Sequence, residues 1–166
     1  MNQIERTGIK VGGFFVFTCW HDNHFAWQDR THNLVVNAGL QHILDVTFAG
    51  GTAVSTWHLG LASSSMTIAS GDTMASHGGW TEATNYAGTR KEYVDVRSNQ
   101  SITNAASAAT FVINTAGTIG GGCLTNLSTG SDILMAAATL TGGDRAVVDT
   151  DTINLTYTYS AADDGA

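Results

Sequence analysis

Hydrophobic and polar positions alternate with a period of two over much of this chain. The clearest run is residues 152–160, where Ile153, Leu155, Tyr157 and Tyr159 alternate with Thr152, Asn154, Thr156, Thr158 and Ser160. This run predicts a half-buried antiparallel strand with one hydroxyl-rich face. Phe111 and Ile113, set between Thr110 and Val112, predict a second strand. Val94 and Val96, alternating with Tyr93, Asp95 and Arg97, predict a third. Shorter candidates cover residues 9–20, 25–29, 56–61, 133–140 and 145–150. Short strands with turn signals between them predict a mainly β fold, an antiparallel β-sandwich or jelly-roll-like arrangement within one domain, residues 1–166.

Glycine clusters supply the punctuation. Gly142-Gly143-Asp144 falls between two strand candidates and predicts a hairpin. Gly12-Gly13 sits inside an apolar run, where a bulge or bend is expected, and Gly120-Gly121-Gly122 reads in the same way. One segment breaks the β pattern. Leu40, Ile43, Leu44 and Phe48 recur at helical spacing, predicting a short α-helix over residues 37–48. Asn37 is its expected N-cap, and Gly50-Gly51 its stop. The helix is expected over one end of the sandwich.

Composition narrows the function classes. Charged residues make up 13% of the chain, about half the usual fraction, whereas hydrophobic residues make up 43%. The 35 serines and threonines and 19 glycines, with no proline, make a neutral, hydroxyl-rich surface. Disorder is excluded by this hydrophobicity. The net charge is −7, and the bases are scattered, with Arg90-Lys91 the only adjacent pair. Nucleic acid and anionic membrane are therefore not expected partners. No apolar run reaches the roughly 18 residues of a membrane span. The first residues show no basic stretch followed by an apolar one, so no export signal is expected. Cys19 and Cys123, each beside apolar residues, are read as buried free thiols of a protein made in a reducing compartment.

Three groupings invite chemistry. The tightest is Trp20-His21-Asp22-Asn23-His24-Phe25, read as a hairpin with Asp22-Asn23 at its tip and a histidine on each side. Zinc needs about two further ligands, and His32 is the one near candidate, so the reading is two turn-flanking histidines without metal. A relay of Cys19, His21 and Asp22 fails because a buried thiol has a raised pKa and is inert. Asp149 and Asp151 bracket a turn, and Asp163-Asp164 lies in a polar tail; all four are read as solvated carboxylates. No catalytic residue and no cofactor is expected, and the chain is read as non-enzymatic. The most unusual segment is residues 70–82, which carries Met74, His77 and Trp80 between glycines. Met74 and Trp80 either plug one end of the sandwich or, with His77, contact a partner.

Four sequence blocks carry a resemblance. They are His32-Asn33-Leu34-Val35-Val36-Asn37-Ala38-Gly39-Leu40, Trp57-His58-Leu59-Gly60-Leu61, Asp72-Thr73-Met74-Ala75-Ser76-His77-Gly78-Gly79-Trp80-Thr81-Glu82 and Thr156-Tyr157-Thr158-Tyr159-Ser160-Ala161-Ala162-Asp163-Asp164-Gly165. In this order they resemble a family of small virion structural proteins of tailed bacteriophages, over residues 30–166. The resemblance implies a particle component, foremost a capsid decoration or cement protein that binds the major capsid protein as a homotrimer on the virion surface. The alternative is a head or tail fibre, or a module that binds host glycans. Met74, His77 and Trp80 are then the candidate interface. Residues 1–8 are a candidate arm toward a neighbour.

Overall fold

Two long strands, β1 (Ile9–His21) and β13 (Thr152–Asp163), pair antiparallel from Ile9↔Asp163 to Trp20↔Thr152 and form the spine of the molecule. The computed structural model describes residues 8–163. The expected arm therefore lies outside the described residues except for Gly8, and Asp164 lies outside them too. On the far side of β1 runs β2 (His24–His32); on the far side of β13 lie β7 (Ser101–Thr103) and β8 (Ala109–Val112), with β6 (Val96–Ser98) beyond β7. A second antiparallel sheet is ordered β3 (Leu34–Val35), β11 (Leu134–Thr139), β10 (Gly121–Thr125), β4 (His58–Ala62) and β5 (Lys91–Glu92). A small ribbon pairs β9 (Gly117–Ile119) with β12 (Arg145–Val147). The fold is mainly β and sandwich-like, with one helix among the described residues, α1 (Asn37–Phe48).

The period-two pattern explains how the two sheets meet. Phe15, Phe17, Cys19, Phe111, Ile153, Leu155 and Tyr157 point inward from the first sheet. They join Leu59, Leu61, Leu124, Ala136 and Ala138 of the second in one buried cluster. Phe15 and Tyr157, cross-strand partners, stack at 4.3 Å. The second sheet is buried on its other face as well. Ala62, Cys123, Leu134 and Ala137 lie there under Val36, Met66, Met74 and Trp80.

Asn104 closes a gap in the spine. β8 pairs β13 up to Leu155 and β7 takes over at Thr158, leaving the middle of β13 without a strand neighbour on that edge. The fully buried Asn104 side chain fills the gap. Its Nδ2 donates to the Leu155 carbonyl at 3.1 Å, and its Oδ1 accepts from the Tyr157 N–H at 2.7 Å. One amide thus replaces a rung of the ladder.

Several expectations are corrected. Val36, not Asn37, is the N-cap, and no side chain caps the helix. Val36 is instead held by its burial and its N–H bond to the Met135 carbonyl. Gly12-Gly13 makes no bulge: pairing with β13 runs straight through, and a Cβ on Gly13 would meet the Thr158 carbonyl. The irregularity in β1 lies at Cys19/Trp20. Gly142-Gly143 turns the chain away from β11 rather than back onto it, because β12 pairs with β9. The buried Asp29 carboxylate holds that turn by accepting from the N–H groups of Thr141 and Gly142. Residues 93–97 form no continuous strand: 93–95 lie between β5 and β6, and of the five only Tyr93 is buried. Tyr93 is buried, its hydroxyl donating to the Tyr157 carbonyl at 3.1 Å, and Val94 and Val96 face solvent.

Two substitutions test this core. Leu155→Ala removes a fully buried side chain and is expected to cost about 2–5 kcal/mol, against much less for Thr156→Ala on the outer face. Asn104→Ala strands one donor and one acceptor in the interior, each worth about 1–3 kcal/mol. Urea unfolding measures all three; a near-neutral Asn104→Ala would remove the side chain from the ladder.

Candidate interaction surface

The hairpin tip folds as its residues dictate. Asp22 and Asn23 adopt φ of 48° and 62°, the two left-handed positions of a tight hairpin turn, and both residue types tolerate them. His21 and His24 flank the turn as a cross-strand pair. His32 sits at the other end of β2, paired with Phe14, so the three histidines do not converge. Among the described residues, no three of His, Cys, Asp and Glu gather as a metal-binding group. The sequence reading missed Asp151. It is buried rather than solvated, bonding His21 Nδ1 at 2.7 Å and accepting from the Val148 N–H at 2.9 Å. Positive φ at Thr150 turns the chain to place it there. The bond to Asp151, then the charge of Asp22, raise the His21 pKa above its usual value. Burial pushes Cys19 up to about 11 and Cys123 up to about 12, so both are thiols at neutral pH.

Met74 and Trp80 stand in the second buried cluster, 3% and 6% exposed, where they cover the outer face of the second sheet. Between them His77 is half-buried, stacked on Trp80 at 3.8 Å, its Nδ1 bonded to the Trp80 carbonyl at 3.1 Å. Backbone bonds from the Thr67 N–H to the Gly79 carbonyl and from the Ser63 N–H to the Thr81 carbonyl lash this segment to residues 63–67. Of the three candidate interface residues, His77 alone offers substantial surface. Two apolar side chains that look spare in the sequence are consumed because the second sheet has two faces to cover.

The exposed apolar surface lies elsewhere. β1 and β13, at about 3.3 Å per residue, span roughly 40 Å, whereas the 5- and 6-residue strands of the second sheet span about half that. The spine therefore overhangs, and past Tyr157 its inward face meets α1 instead of a second sheet. Ile9, Val11, Tyr159 and Ala161 from the spine, with Leu40, Ile43, Leu44, Thr47 and Phe48 from α1, line a groove of about 470 Å³.

Helical spacing predicts that Leu40, Ile43, Leu44 and Phe48 face the core together, and only Ile43 packs against it. The helix is pinned at Gly39, its one buried residue, where a Cβ would meet the Met135 carbonyl. That anchorage leaves Phe48 82%, Leu44 57% and Leu40 37% exposed, opposite Ile9 at 79%. Covering a fully exposed side chain of this kind contributes about 1.5–3 kcal/mol, so hiding the four is a gain of several kcal/mol. Among the described residues no charged side chain lines the groove, although Asp163 stands near its rim, across the ladder from Ile9.

A pH prediction follows from the hairpin tip. Because the folded-state pKa of His21 is raised, its pairing with Asp151 stabilises fully below the unfolded value of about 6.5 and is lost as pH rises through the folded value. NMR titration is expected to place His21 above 6.5, and His21→Gln to flatten the stability profile there. A His21 titrating at or below 6.5 would contradict the pairing.

No protein-family model matches the chain, and no curated protein matches it.

Proposed function

We propose that this chain is a structural component of a tailed-phage virion, a decoration or cement protein that binds the major capsid protein shell. One observation carries the reading: a sparsely charged, hydroxyl-rich sandwich keeps an apolar groove, with no charged side chain among its described lining residues, open beside α1. Exposed apolar patches of this kind mark association surfaces. The four sequence blocks that resemble phage virion proteins supply the setting, the capsid surface, and the expected assembly, a trimer. In this role the protein clamps neighbouring capsid subunits against the outward pressure of packaged DNA. It does so by burying surface rather than by turning over a substrate.

The hairpin tip supports a second reading as a head or tail fibre module. There Trp20 and Phe25 meet edge to face at 6.0 Å with Phe25 exposed, an aromatic platform on which host glycans stack. Copy number separates the two readings. Quantifying the chain in purified particles is expected to give on the order of hundreds of copies, in register with the shell symmetry. About a dozen or fewer would favour the fibre, and a chain missing from particles would overturn both.

A further inference from the structure

We infer that the outer face of the first sheet is a binding surface for an extended, uncharged glycan chain. The inference rests on the glycan reading of the hairpin tip and extends it from one ring pair to a whole sheet face.

Even-numbered positions of β1 and β13 share this face, because they alternate with the buried set. Two aromatic stations stand on it. At one end Trp20 meets Phe25 edge to face. At the other Phe14 meets His32 in the same manner at 6.4 Å, and the Arg30 guanidinium lies 3.8 Å from the centre of the Phe14 ring. The stretch of β1 from Phe14 to Trp20 sets the stations roughly 20 Å apart. Beside Phe14 the strand has no side chain at Gly12, where a Cβ would meet nothing, and the space is a recess of about 260 Å³ walled by Phe14, His32 and Ser160. Sugar rings lay their C–H faces on aromatic rings, and this recess has room for one of them.

Between the stations the face is polar, and its side chains are already held. Gln28 Nε2 donates to Thr18 Oγ1 at 3.0 Å, Thr110 Oγ1 donates to Asn154 Oδ1 at 2.9 Å, and Thr103 and Thr158 share a bond at 2.9 Å. Each bond fixes a side chain without exhausting it. Gln28 keeps its carbonyl oxygen and a second amide hydrogen, and Asn154 keeps its amide donors. Donors and acceptors set in rows match a chain of hydroxyls, and their prior ordering lowers the entropy lost on binding. A protein surface fits less well. The cores of such interfaces are apolar, and each hydroxyl they covered would need its own partner.

Charge selects an uncharged chain. Among the described residues, the ladder positions of this face carry no carboxylate, and their two cations, Lys10 and Arg30, lie toward the Phe14 end. The net charge of −7 repels an anionic polymer at long range, whereas a neutral one approaches freely and its hydroxyls accept from the two cations.

Native electrophoresis of the full-length protein through gels containing dextran, mannan, galactan or the acidic polymer alginate tests the inference. Titration with size-graded oligosaccharides of the retarding polymer follows. Wild type is expected to be retarded by a neutral polymer and not by alginate, with affinity rising until a chain spans both stations. Gly12→Ile fills the recess, and His32→Ala and Phe25→Ala remove exposed rings; all three are expected to keep the fold, checked by circular dichroism. Each is expected to weaken binding by about threefold to tenfold. Phe48→Ser, in the groove beside α1, is expected to leave binding unchanged. No retardation by any of the polymers, or a preference for alginate, overturns the inference. Binding that needs Phe25 but ignores Gly12→Ile and His32→Ala would sink this inference and leave the hairpin-tip reading standing. Binding indifferent to all three variants would sink both.

Discussion

The length of the β1–β13 ladder governs the rest of the molecule. Its twelve paired positions bring Phe15, Phe17, Cys19, Ile153, Leu155 and Tyr157 onto one face, which is the first sheet's share of the core. The same ladder runs on past the last strand of the opposing sheet, where inward-facing residues find no sheet to meet. Long strands are not costly in themselves, since every added residue gains its ladder bonds. What they require is cover for the inward face, and α1 supplies it only in part. Core and groove are thus two stretches of one surface, separated by where the second sheet stops.

Continuity of that ladder is bought with a side chain. A strand cannot pair with β7 and β8 at once without leaving a break where one hands over to the other. Asn104 meets both needs of the break, a donor for Leu155 and an acceptor for Tyr157, in a site where no solvent can substitute. Asp29 and Arg90 act in the same manner at other seams. Asp29 ties the edge strand β2 to the turn after β11, and Arg90 joins Glu82 through two bonds, at 2.7 and 2.6 Å, and the Leu127 carbonyl at 2.9 Å. Buried polar groups here join segments that no regular ladder connects.

The legibility of the sequence follows from the range of the interactions involved. Residues 152–160 read correctly as a strand because alternation is local and the buried face is fully apolar. The Asp22-Asn23 tip was equally legible, since two adjacent residues tolerant of positive φ specify the turn. Residues 93–97 misled because their alternation is local, whereas the one buried residue, Tyr93, is held by a hydroxyl whose acceptor lies on β13, 64 positions away. Asp151 failed for a similar reason: its neighbours in sequence suggest a solvated turn, and its partner His21 comes from the opposite end of the chain. The groove was hidden by a sound local inference. A stripe at helical spacing ordinarily faces a core, and nothing within residues 37–48 reveals that the opposing strands overhang.

The two faces of the second sheet decide where association is possible. Its inner face packs on the spine and its outer face lies under Val36, Met66, Met74 and Trp80, so neither is free. What remains on the sandwich is the outer face of the first sheet, with Thr110, Thr156 and Thr158, and the groove at its overhanging end. These surfaces differ in kind. Hydroxyls exchange bonds to water for bonds to a partner and gain about 0.5–1.5 kcal/mol for each bond made. Exposed Phe48, Leu44 and Ile9 gain more apiece when covered, with no bonding geometry to satisfy. A contact that includes the groove therefore draws its strength from those side chains.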